Sequence, residues 1–261
     1  MSLVINTNMP AITAAHHSRL TRDGMETAME RLASGKRING AADDAAGVSI
    51  AAKLESQVRG LNMAIRNAED SMSAYKVAEG AYIDIENMLQ RVRELTVQKA
   101  SGTYSENDTN AIDAEIDALV EEITEIDTNT EFNDIAVGDA ATDFSPADKD
   151  GEDPTTAMTI TAIADAIALD NDSTPGDVDN AITEITTIRG EIGAYINRLE
   201  YRVNNYSNIS ANTAAAKSRI VDADFAAESA NLAKFQVLQQ AGTAMLAQAN
   251  AAQQTVLRLI Q

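Results

Sequence analysis

The chain of 261 residues contains no cysteine and no tryptophan, and only 4% of its residues are aromatic. Without cysteine, neither a disulfide framework nor a thiolate metal site can form. Scarce aromatic side chains and abundant alanine favour the packing of helix against helix over a thick globular core. No uninterrupted run of about 18 apolar residues occurs, so we expect no membrane span.

Basic residues are nearly missing from the middle of the chain. Between Ser101 and Asn180, 22 acidic residues accompany one basic residue, Lys149, although the formal charge of the whole chain is only −20. The two ends are therefore almost neutral and can pack closely, whereas the acidic middle repels other copies unless it is exposed and screened. Nucleic-acid binding requires a basic stripe, so this charge pattern argues against a nucleic-acid partner.

Constellations of catalytic or metal-binding residues are also lacking. The only histidines, His16 and His17, are adjacent on a predicted helix, where successive side chains point about 100° apart, which disfavours chelation. Asp43 and Asp44 lie in a glycine-rich connector without a third catalytic group, so a structural role is preferred to acid–base chemistry. We therefore expect no enzyme activity, no cofactor and no metal.

The stretch from Asp224 to Gln261 is the most informative part of the sequence. After Glu228 its only charged side chains are Lys234 and Arg258, and no proline interrupts it. A helix with more than one apolar face is normally buried, so the N-terminal helix or other copies of the protein must cover this one. Its apolar and small residues form two heptad series with additions on further faces: Leu238, Met245, Ala252 and Leu259; Phe235, Gly242, Ala249 and Val256; and Leu246, Leu257 and Ile260.

Heptad spacing also organises the earlier segments. Thr7 or Asn8 with Pro10 in the first turn predicts a helix that runs to about Leu32, and a glycine-rich connector follows it from Ser34 to Gly47. A second helix is predicted from about Ala46 to Lys99. Its seam comprises Leu54, Val58, Leu61, Ile65, Ala68, Met72 and Tyr75, and continues through Tyr82, Ile85, Leu89, Val92 and Leu95.

The second half of the chain carries further start signals. Ser105 and Asp108 predict a capping box for a third helix. Pro175-Gly176 reads as a break, after which Asp177 is the expected N-cap of a long heptad helix. Phe132, Ile135 and Val137 resemble a short strand, and residues 155–161 resemble a second strand that forms a hairpin with it.

Long heptad helices on both sides of an insert are expected to fold back and pair, which brings the chain ends together. We predict a mainly α fold: an elongated antiparallel helical bundle or coiled coil with paired N- and C-terminal helices and a small β-hairpin. The predicted domains are a terminal coiled-coil core domain (1–45 with 219–261), a rod-like helical domain (46–137 with 177–218) and a short, exposed acidic insert with a hairpin strand (138–176).

Six motifs stand in order at the two ends of the chain: VINTN (4–8), ERLASGKRINGAADDAAG (30–47), LQRVRELTVQ (89–98), EFND (131–134), SRIVDADFAAE (218–228) and LQQAGTAMLAQAN (238–250). With these motifs the sequence resembles the bacterial flagellins, the subunits of the flagellar filament, over roughly two thirds of its length. The departure is the middle, where flagellins commonly carry large outer domains. The resemblance therefore implies a short form that lacks those domains.

The resemblance implies a structural protein that self-polymerises into a helical filament for swimming motility, with paired terminal helices at the filament core. It implies export to the extracellular flagellum without a cleavable signal peptide, and the first twenty residues show no such signal. The implied partners are other copies of the chain, an export chaperone at the C-terminal segment, and filament cap and hook-junction proteins. The expected self-assembly residues are the apolar positions Ile5, Met29 and Leu32, facing Leu238, Met245, Leu246, Leu259 and Ile260, together with Phe235.

Residues 89–98 resemble the site at which a vertebrate Toll-like receptor recognises flagellin monomers, and the matching residues are Arg91, Leu95 and Glu115. The same face is also expected to pack between protofilaments, and both roles are compatible. Thr142 and Ser145 are the candidates for O-linked glycosylation in the insert. The alternatives that remain open are a hook–filament junction protein of the same fold and a secreted binding module or adhesin.

Overall fold

The computed structural model describes residues 7–136, 169–170 and 173–260, and for residues 255–260 it describes the backbone alone. The helices of this part are α1 (Met9–Ser34), α2 (Ala45–Lys99), α3 (Glu106–Asn129), α4 (Pro175–Val221) and α5 (Phe225–Ile260), and two short strands, β1 (Glu131–Phe132) and β2 (Ile135–Ala136), follow α3. The predicted mainly α fold with a small β-hairpin is confirmed.

The chain divides into two compact units. The first unit holds the residues up to Ser56 and those from Thr213 onward, and the second holds the residues from Gln57 to Asn212. The two long helices, α2 and α4, contribute residues to both units.

A heptad seam on α2 supplies most of the core of the second unit. Large side chains of this seam, among them Tyr75, Ile85 and Leu89, pack with Ile123 of α3 and Ile185 of α4. The sequence pattern identified these large residues and Ala68 but missed the other small ones, because short side chains carry a weak hydropathy signal and still allow helices to approach closely. The buried positions of the seam are Leu61, Ala64, Ala68, Ser71, Tyr75, Ala78, Tyr82, Ile85, Leu89 and Val92.

Capping residues fix where α3 and α4 begin. Ser105 and Asp108 form the predicted capping box, since the Ser105 hydroxyl accepts from the Asp108 N–H and the Asp108 carboxylate accepts from the Ser105 N–H. The prediction that Asp177 is the N-cap of α4 is wrong. Thr174 occupies that position, and the Asp177 carboxylate accepts hydrogen bonds from the Thr174 N–H and hydroxyl at 2.8 and 2.6 Å. Pro175 lies in the first turn of α4, where a backbone N–H has no partner within the helix, so the missing N–H of proline has no cost. Pro175 therefore begins the helix and does not interrupt it.

The hairpin is tighter than the sequence suggested. Phe132 pairs with Ile135 across a two-residue turn in which Asn133 and Asp134 both have positive φ, 55° and 62°. Asn and Asp tolerate this conformation better than other non-glycine residues, and two such residues favour a tight hairpin. The prediction of one continuous strand through Phe132 and Ile135 is therefore wrong, and the second predicted strand, residues 155–161, lies outside the described residues.

Candidate functional site on the paired terminal helices

Helices α1 and α5 pair antiparallel, and polar contacts mark both ends of the pair. At one end Asn8, the N-cap of α1, donates a hydrogen bond from Nδ2 to the carbonyl oxygen of Ala249 at 3.3 Å. At the other end Arg31 Nη1 donates to Glu228 Oε1 at 2.8 Å. The expectation that the N- and C-terminal helices pair is therefore confirmed.

Two glycines let the helices approach between those ends. A Cβ atom on residue 24 would lie 2.6 Å from Cζ of Phe235, so the aromatic ring occupies space that only glycine leaves open. On the opposite helix, a Cβ atom on Gly242 would lie 3.8 Å from Cβ of Ser18, an ordinary contact distance. Each close approach thus places a glycine of one helix against a larger residue of the other.

Glu228 is the best-buried carboxylate of the pair, with 10% of its side chain exposed. Its second oxygen accepts a hydrogen bond from Asn231 Nδ2 at 2.9 Å. The hydrogen bond from Arg31, followed by that from Asn231, holds the pKa of Glu228 below its usual range. Since both oxygens have donors, the buried charge is compensated.

The two connectors that follow α1 and precede α5 continue the pairing. Gly35 ends α1 in the left-handed conformation (φ 69°) and its carbonyl oxygen accepts from the Ala223 N–H at 3.0 Å. The Arg37 N–H donates to the Val221 carbonyl oxygen at 2.7 Å. The two connectors are therefore hydrogen-bonded to each other beside the Arg31–Glu228 end of the pair.

The paired aspartates of the first connector hold backbone. Asp43 Oδ2 accepts hydrogen bonds from the N–H groups of Asn39 and Gly40, both at 3.0 Å, and those of Gly40 and Asn39 lower the pKa of its carboxyl. Asp44 Oδ1 accepts from the Gly47 N–H at 2.8 Å, in the first turn of α2. These contacts support the structural role expected of both residues.

The face of α5 that meets α1 is a single heptad seam. It begins at the buried Glu228 and continues through half-buried positions separated by three or four residues: Leu232, Phe235, Gln239, Gly242, Leu246, Ala249 and Gln253. Of the two heptad series in the sequence, the one that contains Phe235 faces α1. The series that contains Leu238 and Met245 lies on the outer face, where these side chains are 44% and 62% exposed.

The matching face of α1 consists mainly of small residues, with Met25, Arg31 and Leu32 towards its C-terminal end. Its half-buried or buried positions are Ala11, Ala14, Ser18, Thr21, Gly24, Met25, Ala28, Arg31 and Leu32. By contrast, Ile12 and Leu20 are at least half exposed. The pair therefore displays several large apolar side chains on its outer face. Among the described side chains of the two helices, the exposed large hydrophobic residues are Met9, Ile12, Leu20, Met29, Phe225, Val237, Leu238 and Met245.

The predicted self-assembly residues fall on different faces. Phe235, Leu246 and Leu32 are half-buried, whereas Met29, Leu238 and Met245 are exposed. Met29 precedes Arg31 by two residues, so the Arg31–Glu228 contact brings it level with residue 230, and it does not face Leu238 or Met245 of its own chain.

The exposed residues Ile12 and Leu20 were missed from the sequence. Counting from the Asn8–Ala249 contact brings Ile12 level with Met245. Leu20 comes level with Gln239, next to Leu238, by the same count from Gly24 and Phe235. The alternation of small and large residues along α1 could have indicated these two positions. Ile5 lies outside the described residues, as do the side chains of Leu259 and Ile260, and Thr142 and Ser145.

The residues that resemble a receptor site lie in the second unit. Arg91 donates from Nε and Nη2 to Glu115 Oε1 at 3.0 and 2.9 Å, and from Nη1 to Glu94 Oε2 at 2.9 Å, and about half of the Arg91 side chain is exposed. The hydrogen bonds that Arg91 donates to these carboxylates, first that to Glu94 and then that to Glu115, raise its pKa. Leu95 is 2% exposed and packs in the core with Val92. The structure thus brings Arg91 and Glu115 together at the surface, with Leu95 beneath it.

Within the described ranges, no cluster of three or more His, Asp or Glu side chains is placed to hold a metal ion. His16 and His17 are both exposed, and their ring centroids lie 6.0 Å apart. None of the helices in the same ranges is both long and apolar enough to cross a membrane.

Comparison with known proteins gives these surfaces a context. The family model of the bacterial flagellin N-terminal helical region matches residues 5–139, and that of the C-terminal helical region matches residues 176–260. The crystal structure of Bacillus cereus flagellin covers 54% of this chain and 88% of its own, with a TM-score of 0.48 and 27% identity.

Two curated relatives match nearly end to end. The flagellin of Halalkalibacterium halodurans is 38% identical over 99% of this chain and 100% of its own length. The flagellar filament 33 kDa core protein of Treponema phagedenis is 37% identical over the same shares of the two chains. Since both family models match in order and together span most of the sequence, the chain belongs to the bacterial flagellin family.

Proposed function

We propose that this chain is a structural subunit that polymerises into the bacterial flagellar filament and thereby serves swimming motility. Its membership of the flagellin family and its similarity to a filament core protein support this function. The observation that carries it is the outward display of large apolar side chains, such as Leu20 and Met245, by the paired helices α1 and α5.

The outer face of the α1–α5 pair exposes large apolar side chains to water. Ile12, Leu20, Leu238 and Met245 expose from 44% to 62% of their surface to water. Covering the exposed half of one such side chain contributes on the order of 1 kcal/mol, so several of them per subunit give a substantial driving force. A second copy is the proposed cover, because identical contacts repeated head to tail build a filament.

The register of α1 and α5 separates two roles among the predicted self-assembly residues. Phe235, Leu246 and Leu32 hold the two helices of one chain together. Met29, Leu238 and Met245 contact neighbouring subunits, and we add Ile12 and Leu20 to this group. Ile5, Leu259 and Ile260 are proposed to extend the same surfaces towards the chain ends.

The proposal keeps the three-part domain division: residues 1–45 with 219–261 assemble at the filament core, residues 46–137 with 177–218 form the surrounding shell, and residues 138–176 face outward. The proposed location is the extracellular flagellum. An export chaperone on the C-terminal segment would cover the apolar face of α5 before assembly, and cap and hook-junction proteins would bound the filament. No catalytic step is part of this function.

The test is seeded polymerisation of the full chain by salting out, followed by negative-stain electron microscopy. We expect Met245→Asp and Leu238→Asp to abolish filaments while the α1–α5 pair still forms, and Met245→Leu, the matched control, to retain them. Leu246→Asp should abolish filaments by breaking the pair itself and should leave the second unit folded. Normal filaments from both outer-face aspartate variants would contradict the proposal.

Filament length separates the proposal from its alternatives. A hook–filament junction protein would give short segments even with seeds, and a secreted binding module or adhesin would remain monomeric. The same micrographs of the unaltered chain therefore distinguish these functions.

Recognition by a Toll-like receptor is a second proposed property. The exposed Arg91–Glu115 pair supports it, because a guanidinium held on a helical surface is a common anchor in interfaces. We expect Arg91→Ala to lower receptor signalling by monomer in a reporter cell line. Arg93→Ala is the matched control, since Arg93 lies two residues along the same helix and pairs with Asp179. Equal signalling by both variants and the unaltered chain would contradict the proposal.

A further inference from the structure

We propose that the seating of Phe235 against Gly24 sets the register of the α1–α5 pair, and so selects which apolar residues come level on its outer face. The ring lies where a Cβ atom on residue 24 would be 2.6 to 3.0 Å from three of its carbon atoms. Such a fit exists only at a glycine. This contact acts within one chain, and its role does not depend on polymerisation.

The rest of the α1 seam carries little information about register. Its central positions are small, and a seam of small residues offers nearly the same surface after a shift of one heptad. Heptad coiled coils commonly rely on one distinctive position to specify their register. In this pair the distinctive positions are Gly24 with Phe235 and, one heptad further along both helices, Arg31 with Glu228.

A shift of one heptad misplaces the ring in either direction. In one direction Phe235 comes level with Arg31. In the other it takes the place of Gly242, which faces Ser18 in the observed register. Both sites carry side-chain atoms where Gly24 carries none, and overpacking a close-packed seam is unfavourable. The Phe235 ring therefore fits in a single register. The ion pair also penalises a shift, because a shift leaves the Glu228 charge uncompensated.

The register has a consequence for the outer face. In the observed register Leu20 comes level with Gln239, next to Leu238, and Ile12, counted from the Asn8–Ala249 contact, comes level with Met245. A shift of one heptad brings Leu238 level with residue 14 or 28, which are both alanines. The Gly24–Phe235 contact thus positions residues that it does not touch.

The absence of cysteine from the sequence makes the register directly measurable by engineered disulfides. Ser18→Cys with Gly242→Cys reports the observed register, because the two Cβ positions lie 3.8 Å apart, within the range that a disulfide requires. Ser18→Cys with Ala249→Cys reports the shifted register, since seven residues of helix separate the two sites on α5 by roughly 10 Å. Intrachain products of the oxidised full chain are separated from interchain products by non-reducing electrophoresis and identified by peptide mass.

In the otherwise unaltered chain we expect the product of the observed register to exceed the shifted one by roughly tenfold or more, a ratio in keeping with the cost of overpacking. Phe235→Ala, which removes the ring, and Gly24→Leu, which fills its seat, should each bring the two yields to within about twofold of one another. Leu232→Ala is the matched control, because it removes a seam side chain of similar size from α5, and it should keep the original ratio.

Several results would overturn the inference. If Phe235→Ala keeps the original ratio, the ion pair or another contact sets the register. If Leu232→Ala loses it equally, the effect is one of packing in general. If Phe235→Ala yields neither product, the ring joins the helices without selecting a register, and if the unaltered chain yields no product of the observed register, the pairing itself is refuted. Loss of filaments with retained cross-links would instead count against the proposed function alone.

Discussion

Arg31 and Glu228, separated by 197 positions in the chain, form an ion pair at 2.8 Å across the terminal helices. The contact shields a carboxylate that is only 10% exposed, and Asn231 satisfies its second oxygen. This ion pair joins α1 to α5 close to the connectors, so its loss is expected to loosen that end of the α1–α5 helix pair.

The first prediction concerns the stability of the α1–α5 pair at acidic pH. The pKa of Glu228 is lower in the folded chain than its ordinary value of 4.5, so its stabilising contribution is complete above pH 4.5 and is lost as the pH falls through the folded value. Glu228→Gln should lower the free energy of unfolding of the terminal pair at pH 7 by about 1–2 kcal/mol, with a shrinking difference below pH 4.5. Urea unfolding followed by circular dichroism across this range measures it.

Glu26→Gln is the control for the acid prediction, since it removes the same charge from an exposed position of α1. It should leave the unfolding curves almost unchanged. A Glu228→Gln variant whose stability differs from that of the unaltered chain by the same amount at pH 3 and pH 7 would show that the ion pair is not the source of the effect.

The second prediction concerns the stability of the second unit at alkaline pH. Burial, and then the charge of Asp127, raise the pKa of Tyr82 above its ordinary value of 10, and within the described ranges its hydroxyl oxygen has no hydrogen-bond partner. The contribution of the neutral hydroxyl is therefore complete below pH 10 and is lost as the pH rises from 10 towards the folded value. Tyr82→Phe should keep or raise stability by up to about 1 kcal/mol and reduce the alkaline loss.

Thermal unfolding at pH 8 and above pH 10 checks the Tyr82 prediction. Tyr201→Phe is the matched control, because Tyr201 is 77% exposed and its removal should not alter the pH dependence. Destabilisation by Tyr82→Phe at pH 8 would indicate that the hydroxyl makes a favourable interaction in the core.

The third prediction separates core from surface at the face that resembles a receptor site. Leu95→Ala should cost about 2–5 kcal/mol of stability, because it removes a side chain that is almost fully buried between α2, α3 and α4. Arg91→Ala should change stability little, since its ion pairs are exposed. Chemical denaturation of the two variants tests this contrast. Equal effects would mean that the surface pair supports the fold, and signalling by Arg91 variants would then need a different interpretation.

The fourth prediction sets helix propensity against packing at two glycines of α2. Nothing lies within 4 Å of a Cβ atom placed on Gly80, so Gly80→Ala should stabilise by about 0.5–1 kcal/mol. A Cβ atom on Gly47 would lie 2.5 Å from Asp44 Oδ2 and 2.7 Å from Ile38 Cδ1. Because Asp44 caps the Gly47 N–H, it cannot move without losing that bond, and Gly47→Ala should destabilise by about 1–3 kcal/mol.

Urea midpoints of the two glycine variants provide the measurement. The sign is the informative part, since propensity alone predicts stabilisation at both positions. Stabilisation by Gly47→Ala would show that the first connector and the start of α2 adapt more readily than their hydrogen bonds imply.

Local chemistry made much of the fold predictable. The long apolar heptads of α2 and α4 indicate helices that bury one face, and Ser105 with Asp108 marks a helix start by a hydrogen-bonding pattern confined to four residues. Such signals depend only on neighbouring residues, so they survive without knowledge of the fold. Where two local interpretations compete, as at Pro175 and Asp177, the residues alone did not decide, and the hydroxyl of Thr174 determined the cap.

The same limit applies to the hairpin and to the inner seam of α2. Phe132 and Ile135 satisfy a strand pattern whether they lie on one strand or on two, and the positive φ values of the residues between them decide the matter. Alanine and serine at seam positions are nearly silent in hydropathy, although they determine how closely the helices pack.

For the terminal helices, the sequence by itself determined that α5 carries two apolar heptad series and that something must cover both. It did not determine which series faces α1, because Phe235 and Leu238 are equally apolar and stand only three residues apart. The tertiary structure decided this through the contact of Phe235 with Gly24 and the ion pair of Arg31 with Glu228. Both contacts join residues about 200 positions apart, and their fit depends on shape and charge in three dimensions, which periodicity along one helix does not record.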